Sequence, residues 1–382
     1  MRPLIFQGPV YGASGYATAA RRFLLALQAL QVTPIGLNPL TWNCGFDAGE
    51  SRQDLLNLQQ MEKTLAELPR SQACLLHWSI ASEFLGRQGC AQAIGHTVFE
   101  TNSLLKDFVS GANRMDGLIV PTQFNQNYFR QAGVQVPMGL VPEGVDSEHF
   151  SPDGPGLKVL PQRFTFLFMA QLSYRKGLDL VLKAFLELFA KHDDVQLVIR
   201  SYLRDSTPKD LDQVRQFIKA FRDQEFKGQQ NGHIYLLSNV ADSYMPALYR
   251  SANVLLAPHR GEGWGLPISE ALACEVPVIA TGWGGIHEYL QPDHACWLNY
   301  TLEPIPPDVP DLFLGGHLKQ ARAEGHLLAE PDYQQLKYAM WEMYRNYFVY
   351  KAQAMQAREF LQKHMSWQQA AQKFVKWMET QA

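Results

Sequence analysis

The sequence predicts an α/β protein built from two doubly wound, parallel sheets. Three observations carry this. Short apolar runs alternate with amphipathic helical stretches along most of the chain, the pattern of a parallel sheet covered on both faces. At 382 residues the chain exceeds one ordinary core, so two domains of about 150–200 residues are the prior. A stretch with three prolines and two glycines, residues 151–162, divides the chain as a linker would. The expected domains are therefore 1–155 and 156–365, with a C-terminal helix at 366–382 packing back on the first.

Composition narrows the classes. Hydrophobic residues make up 46%, enough for two cores and too much for disorder. A net charge of −3 leaves no electrostatic footprint for nucleic acid. No apolar run approaches the roughly 18 residues of a membrane span, and the N-terminus lacks an uninterrupted signal-peptide core. The expected location is cytoplasmic. Cys44, Cys74, Cys90, Cys274 and Cys296 are scattered and without CxxC spacing, which points to free thiols rather than disulfides or zinc.

In the first half, residues 4–6 read as a strand that breaks into a glycine loop running through Gly8, Gly12, Gly15 and Tyr16. A helix follows, with Ala19, Phe23, Leu27 and Leu30 on one face. Strand, glycine loop and helix suit a phosphate, although a plain tight turn is an even alternative. Arg21-Arg22 beside Phe23 could touch a bilayer surface weakly, but a helix packed on the sheet is the stronger reading, since one basic pair is no polybasic patch. Further strands are expected at 32–40, 73–79, 94–99, 118–121 and 140–142, with a polar helix over 51–70. His77 and Glu100 stand at strand ends. In parallel sheets that edge is where ligands sit, so both are functional candidates. Against this, His77 could be a satisfied core residue, and Glu100 could only cap a helix over 102–109.

In the second half, strands are expected at 164–170, 195–202, 233–237, 254–257, 277–280 and 295–298. Leu178, Val181, Leu182, Phe185, Leu188 and Phe189 form an apolar helix stripe. Residues 203–230 read as an outer helix, and the one DxD triplet, Asp210-Leu211-Asp212, as its solvated face. A helical tail begins near Pro331 and ends in a helix capped by Ser366 whose Trp367, Ala370, Ala371, Phe374 and Met378 share a packing face.

The most informative stretch is 254–288. A buried strand runs into Gly261-Glu262-Gly263-Trp264-Gly265, and Pro267 opens a helix with Glu270 in its first turn. Glycines let the backbone approach a ligand, and a helix start favours an anion. The stretch reads as a site for a phosphate-bearing ligand whose hydroxyls the two acids bind.

Three stretches together resemble the family 4 glycosyltransferases, retaining enzymes of the GT-B fold: Arg175-Lys176-Gly177, the segment Gly261 to Ala271 with two glutamates separated by seven residues, and Gly284-Gly285 followed by Glu288. Weaker echoes are Ser14-Gly15-Tyr16, Glu100, residues 121–124, and Glu143-Gly144-Val145-Asp146 with Phe150 and Pro152. The resemblance covers nearly the whole chain in order. It implies two Rossmann-like domains facing across a cleft, the second binding the donor. Arg175 and Lys176 would bind the donor's diphosphate; the arginine of many relatives falls at Gln171 here, leaving Arg175 to serve or Lys176 to act largely alone. Glu262 would bind the sugar hydroxyls, and Glu270 the nucleotide ribose. Gly263, Trp264, Gly265 and Leu266 would offer backbone N–H groups, while Trp264 shapes the sugar pocket or seals the loop. Asn239 and Val240 would contact the base. His77 and Glu100 would serve near the acceptor, and Gly15 and Tyr16 would close over the diphosphate.

The implied reaction moves a sugar from a nucleotide diphosphate donor, of the UDP-glucose or GDP-mannose type, to a hydroxyl of a glycan, lipid-linked or small-molecule acceptor, with retention. Cations and a helix N-terminus take the place of a metal, so no cofactor and no metal are expected. A non-catalytic scaffold or regulatory subunit that kept the fold and binds nucleotide-sugar is the rival. It predicts loss of Glu262, Lys176 or the glycines, and all are present.

Overall fold

The computed structural model describes residues 1–12, 14–42, 51–203, 207–227, 232–237, 240–309 and 317–381. The chain divides into two compact units: Met1–Gly144 with His364–Ala382, and Val145–Lys363.

The first unit runs β1 (Leu4–Gly8), α1 (Gly15–Ala29), β2 (Ile35–Pro39), α2 (Arg52–Leu65), β3 (Cys74–Trp78), β4 (Gln92–His96), α3 (Lys106–Ala112), β5 (Gly117–Val120), α4 (Gln123–Ala132) and β6 (Met138–Leu140). All strands pair in parallel, in the order β2-β1-β3-β4-β5-β6. The second runs β7 (Phe164–Gln171), α5 (Leu178–Phe189), β8 (Val195–Tyr202), α6 (Pro208–Phe226), β9 (His233–Leu237), α7 (Met245–Arg250), β10 (Val254–Ala257), α8 (Leu266–Ala273), β11 (Val278–Thr281) and β12 (Cys296–Leu298). Its sheet order, β12-β11-β10-β7-β8-β9, is the Rossmann order, with the topological switch between β7 and β10. Then follow a hairpin of β13 (Tyr300–Pro304) and β14 (Leu327–Pro331), antiparallel in register, with α9 (Leu318–Ala323) between them, and α10 (Tyr333–Arg345) and α11 (Tyr347–His364). Finally α12 (Trp367–Glu379) belongs to the first unit.

The core of the second unit is Phe166, Phe168, Leu197 and Ile199 from the sheet, met by Val181, Phe185 and Phe189 of α5 and by Leu336 and Met340 of α10. With α10 against its outer side, α5 also buries Ala184 and Leu186, so the burial is wider than one stripe. In the first unit, α12 presents the expected face, Trp367, Ala370, Ala371, Phe374 and Met378, to α1. Phe23 and Phe374 meet edge to face at 5.7 Å. Ser366 and Gln369 close a capping box.

Several expectations need correction. The stretch 151–162 does not float between units. Arg250 donates to the carbonyls of Ser151 and Pro155, and Leu157 N–H to Ser251 Oγ, so it is bound to the second unit. Arg21 is 1% exposed; its Nη1 donates to the carbonyls of Val10 and Gly12 at 2.9 and 3.0 Å. Phe23 and Leu24 are buried between the sheet and α12, so this helix presents no bilayer face there. Asp210 is 5% exposed and accepts from Leu203 N–H at 2.7 Å, tying the turn after β8 to the start of α6. Only Asp212 is the solvated acid, paired with Arg215. The helix near Glu100 begins at Lys106 with no side-chain cap; residues 99–105 form an irregular connection, so Glu100 does not cap that helix. The tail helix begins at Tyr333, because Leu327–Pro331 is a strand. Among the described residues no helix is long and apolar enough to cross a membrane. The described cysteines, Cys74, Cys90, Cys274 and Cys296, are free.

Candidate active site

In the second unit the chemistry gathers at the switch point. The backbone leaves β7 and makes one 3-10 turn, Tyr174–Lys176, closed by Gly177 at φ 75°. A Cβ there would lie 2.2 Å from the Pro258 carbonyl oxygen, so only glycine lets this turn pack on the loop after β10. Arg260 N–H donates to the Arg175 carbonyl at 2.6 Å, and Arg175 Nη1 donates to the Gly261 carbonyl at 2.8 Å. Lys176 Nζ meets Glu262 Oε2 at 2.6 Å, the side chains being 17% and 14% exposed. Burial alone would raise the Glu262 pKa, but Lys176 and then Arg175 outweigh it and hold the carboxyl at about 2.

The helix after this loop starts one residue earlier than the proline. Gly265 is its N-cap at φ 90°, Leu266 is the first helical residue, and no acid lies in the first turn. Glu270 therefore falls in the second turn, where its Oε2 accepts from Tyr249 Oη at 2.7 Å. Burial, then the Glu270 charge, pushes the Tyr249 hydroxyl up, so it stays a donor. Trp264 is 3% exposed and packs on Tyr289 with ring centroids 4.6 Å apart; Tyr289 Oη donates to the Trp264 carbonyl. Of its two readings, sealing the loop describes this packing. Gly263 is buried with it. Gly285 N–H donates to the Glu262 carbonyl at 2.8 Å, and a Cβ on Gly284 (φ 99°) would sit 2.4 Å from that oxygen. Gln171 is turned onto the Leu203 carbonyl. Val240 follows β9, and Asn239 lies outside the described residues.

The sequence reading missed the frame behind this site. Arg260, 2% exposed, forks onto Asp179 at 2.9 and 2.8 Å and onto Glu330 of β14. It also lies over the Tyr174 ring at 3.8 Å. One buried guanidinium thus joins the turn carrying Lys176, the loop carrying Glu262, and the hairpin. The available signal was an arginine directly before the glycine-broken turn that carries Glu262. Buried polar atoms of Ser173, His259, Trp264 and Thr281 have no hydrogen-bond partner, and all four stand at the carboxyl edge of β7, β10 and β11. Orphaned polar groups at such an edge fit a polar ligand or water.

In the first unit the switch lies between β1 and β3, and the residues there are Gln7 and His77. Gln7 Oε1 accepts from Asn38 Nδ2 at 2.9 Å, so its Nε2 donates to His77 Nε2 at 3.3 Å. The proton of His77 then rests on Nδ1, which is buried and without a partner. Burial lowers the His77 pKa to about 4, so the ring is neutral. Ser14 caps α1, accepting from Ala17 N–H, and Gly15 is the first helical residue. Tyr16 Oη reaches the Val98 carbonyl and N–H, both at 3.3 Å; burial raises its pKa, and Glu100 adds to the rise. The unit thus brings Tyr16 and Glu100 together beyond β4, with His77 and the glycine loop at the switch.

Residues 157–300 match the family model described as glycosyl transferases group 1. The second unit carries a group 1 glycosyl transferase domain. The chain is 27% identical over 197 residues to the phosphatidylinositol N-acetylglucosaminyltransferase gpi3 subunit of Schizosaccharomyces pombe, covering 51% of this chain and 39% of that protein. It is 33% identical over 144 residues to the phosphatidyl-myo-inositol mannosyltransferase of Mycolicibacterium smegmatis, 37% of this chain and 33% of that one. The chain thus spans less than half the length of each of these relatives. Over 100% of its length it is similar in structure to sucrose-phosphate synthase from Thermosynechococcus elongatus (TM-score 0.66, 16% identity, 99% of that chain). The same holds for Anabaena HepE, solved in complex with UDP-glucose (TM-score 0.66, 13% identity, 100% of that chain). The fold is GT-B, two Rossmann-like parallel-sheet units, of which the glycosyl transferase domain holds the Lys176–Glu262 pair.

Proposed function

We propose that the chain is a retaining glycosyltransferase of family 4 type, moving a hexose from a nucleotide diphosphate sugar to a hydroxyl of a glycan, lipid-linked or small-molecule acceptor. The observation that carries this is the Lys176–Glu262 pair at the Rossmann switch point, with Glu270 a helix turn further on. Lys176 and Arg175 take the donor's diphosphate, and Glu262, released from Lys176, accepts hydrogen bonds from the sugar. Glu270 and Tyr249 hold the ribose diol, since a carboxylate offers two acceptor oxygens. Gly263, Gly265 and Leu266 line the phosphates, and Val240 with Asn239 meets the base. His77 and Glu100 serve the acceptor, and Gly15 with Tyr16 the diphosphate.

The sugar C1–O bond to the phosphate breaks as the acceptor oxygen bonds C1 on the same face, and the acceptor proton leaves on the phosphate. The protein's part is alignment and charge stabilisation. The positive charge comes from Lys176, Arg175 and the start of α8, so the proposal needs no metal. A fold relative that holds UDP-glucose and relatives named for sugar transfer support a nucleotide-sugar donor of UDP-glucose or GDP-mannose type.

The test is a thermal-shift screen of the full chain against UDP-, GDP- and ADP-sugars, followed by hydrolysis of the radiolabelled hit. Stabilisation with turnover is expected. Binding without turnover would return the scaffold reading, and neither would overturn both.

A further inference from the structure

A concavity lies in the same unit, next to the loop whose Gly285 bonds the Glu262 carbonyl. At the carboxyl ends of β11 and β12, a cavity of about 420 Å³ is lined by Gly282, His287, Pro292, Trp297, Asn299 and Tyr300, among others. Its size lies within the range of about 300–1,000 Å³ of small-molecule sites. Three of its eight lining residues, His287, Trp297 and Tyr300, carry aromatic rings, and these are held in place. His287 stacks on Trp297 with centroids 4.8 Å apart and planes within 10°. Trp297 Nε1 donates to the Pro292 carbonyl at 3.0 Å. The Tyr300 ring meets Trp283 edge-on at 5.4 Å. No lysine, arginine, aspartate or glutamate lines it among the described residues. Asn299 commits its backbone to Gln335 and Asp332, and its side-chain amide offers both a donor and an acceptor. The loop from Gly282 to His287 that forms one wall also carries Gly285, whose N–H is bonded to the Glu262 carbonyl.

We propose that this groove binds a neutral hexopyranose unit of an oligosaccharide. Fixed aromatic faces cover the C–H face of a pyranose ring, and a few convergent polar groups meet its hydroxyls. The missing cations disfavour a phosphate, a nucleotide or an acidic sugar, whose charge would stay unpaired. Because the same loop holds Glu262, the groove extends the donor site and names the acceptor class as a neutral glycan. Only that last assignment rests on the glycosyltransferase reading.

The test is isothermal titration of the full chain, without nucleotide, by maltotriose, cellotriose and mannotriose. Saturable binding of at least one is expected, weakened about tenfold or more in Trp297→Ala and in Tyr300→Ala, with nucleotide-sugar affinity unchanged. Tyr300 is 38% exposed, so its variant leaves the core intact and remains informative if Trp297→Ala fails to fold. No saturable binding of any of the three, or wild-type affinity in Tyr300→Ala, overturns the proposal. Failure of the glycosyltransferase reading is distinguishable: such a chain would bind glycan yet neither bind nor hydrolyse any nucleotide sugar.

Discussion

Lys176 and Glu262 neutralise each other at 2.6 Å with little water at either side chain. Removing one partner strands the other's charge, which costs about 1–3 kcal/mol here, below the roughly 3–5 of a fully buried pair. Lys176→Ala and Glu262→Ala should each lower the urea midpoint, and the double variant should lose less than the two combined; additive losses would refute the coupling. In function the two separate. Glu262→Ala should nearly abolish transfer while nucleotide binding persists, and Lys176→Ala should weaken binding of the nucleotide diphosphate; unchanged turnover in the first or equal affinity in the second would remove that residue's role. The acids and cations of this site were legible, because Glu262, Arg175 and Lys176 sit in glycine-broken turns at strand ends and Glu270 lies in the helix that follows. Their present partners were not. The bonds Lys176–Glu262 and Tyr249–Glu270 join residues 86 and 21 positions apart, which no local pattern links. Arg260 was passed over for the same reason, since Asp179 and Glu330 come from elements far along the chain.

Helix α12 illustrates what periodicity can and cannot reveal. Its buried face was readable at a 3.6-residue period, but the surface that receives it was not. That surface is made by absences: a Cβ on Gly139 would lie 2.7 Å from the Trp377 ring, and one on Gly144 would lie 2.3 Å from Trp367 N. Gly139→Val should therefore destabilise the first unit by displacing Trp377, and Ser366→Ala should cost about 0.5–2 kcal/mol through the lost cap. Both are measured by calorimetry, and an unshifted transition in Gly139→Val would show that Trp377 can move aside. The hairpin of β13 and β14 went unread because β13 is exposed along its whole length, so its residues carry no core-facing alternation. Residues 102–105 have no helical backbone despite their sequence. The helix forms only from Lys106, where Phe108, Gly111 and Ala112 gain a buried face.

Across the whole molecule, buried imidazoles set the response to acid. His77, His96 and His259 are at most 2% exposed, and burial first of all lowers them to about 4, 3 and 3. The unfolded chain binds their protons near the ordinary 6.5, so their contribution is complete above that pH and is lost as pH falls through 6.5 towards 3, at up to about 1.4 kcal/mol per unit for each. Glu262, lowered from 4.5 to about 2, adds a further loss only below about 4.5. The urea midpoint should stay level from pH 8 to 7 and fall steadily below 6.5, and a midpoint flat to pH 5 would contradict it. At this scale the alternation of elements was legible and the strand order was not, because the switch points arise from right-handed crossovers that no single segment encodes. The return of α12 to the first unit also has a consequence for synthesis. That unit's first segment ends at Gly144, and 219 residues of the second unit are made before His364 appears. At about 5–20 residues per second, the side of α1 with Phe23 and the glycine surface of β5 and β6 wait roughly 10–40 s for their cover. The nascent chain is therefore exposed to aggregation in an interval set by translation rate, and slowing the ribosome in the second unit lengthens it.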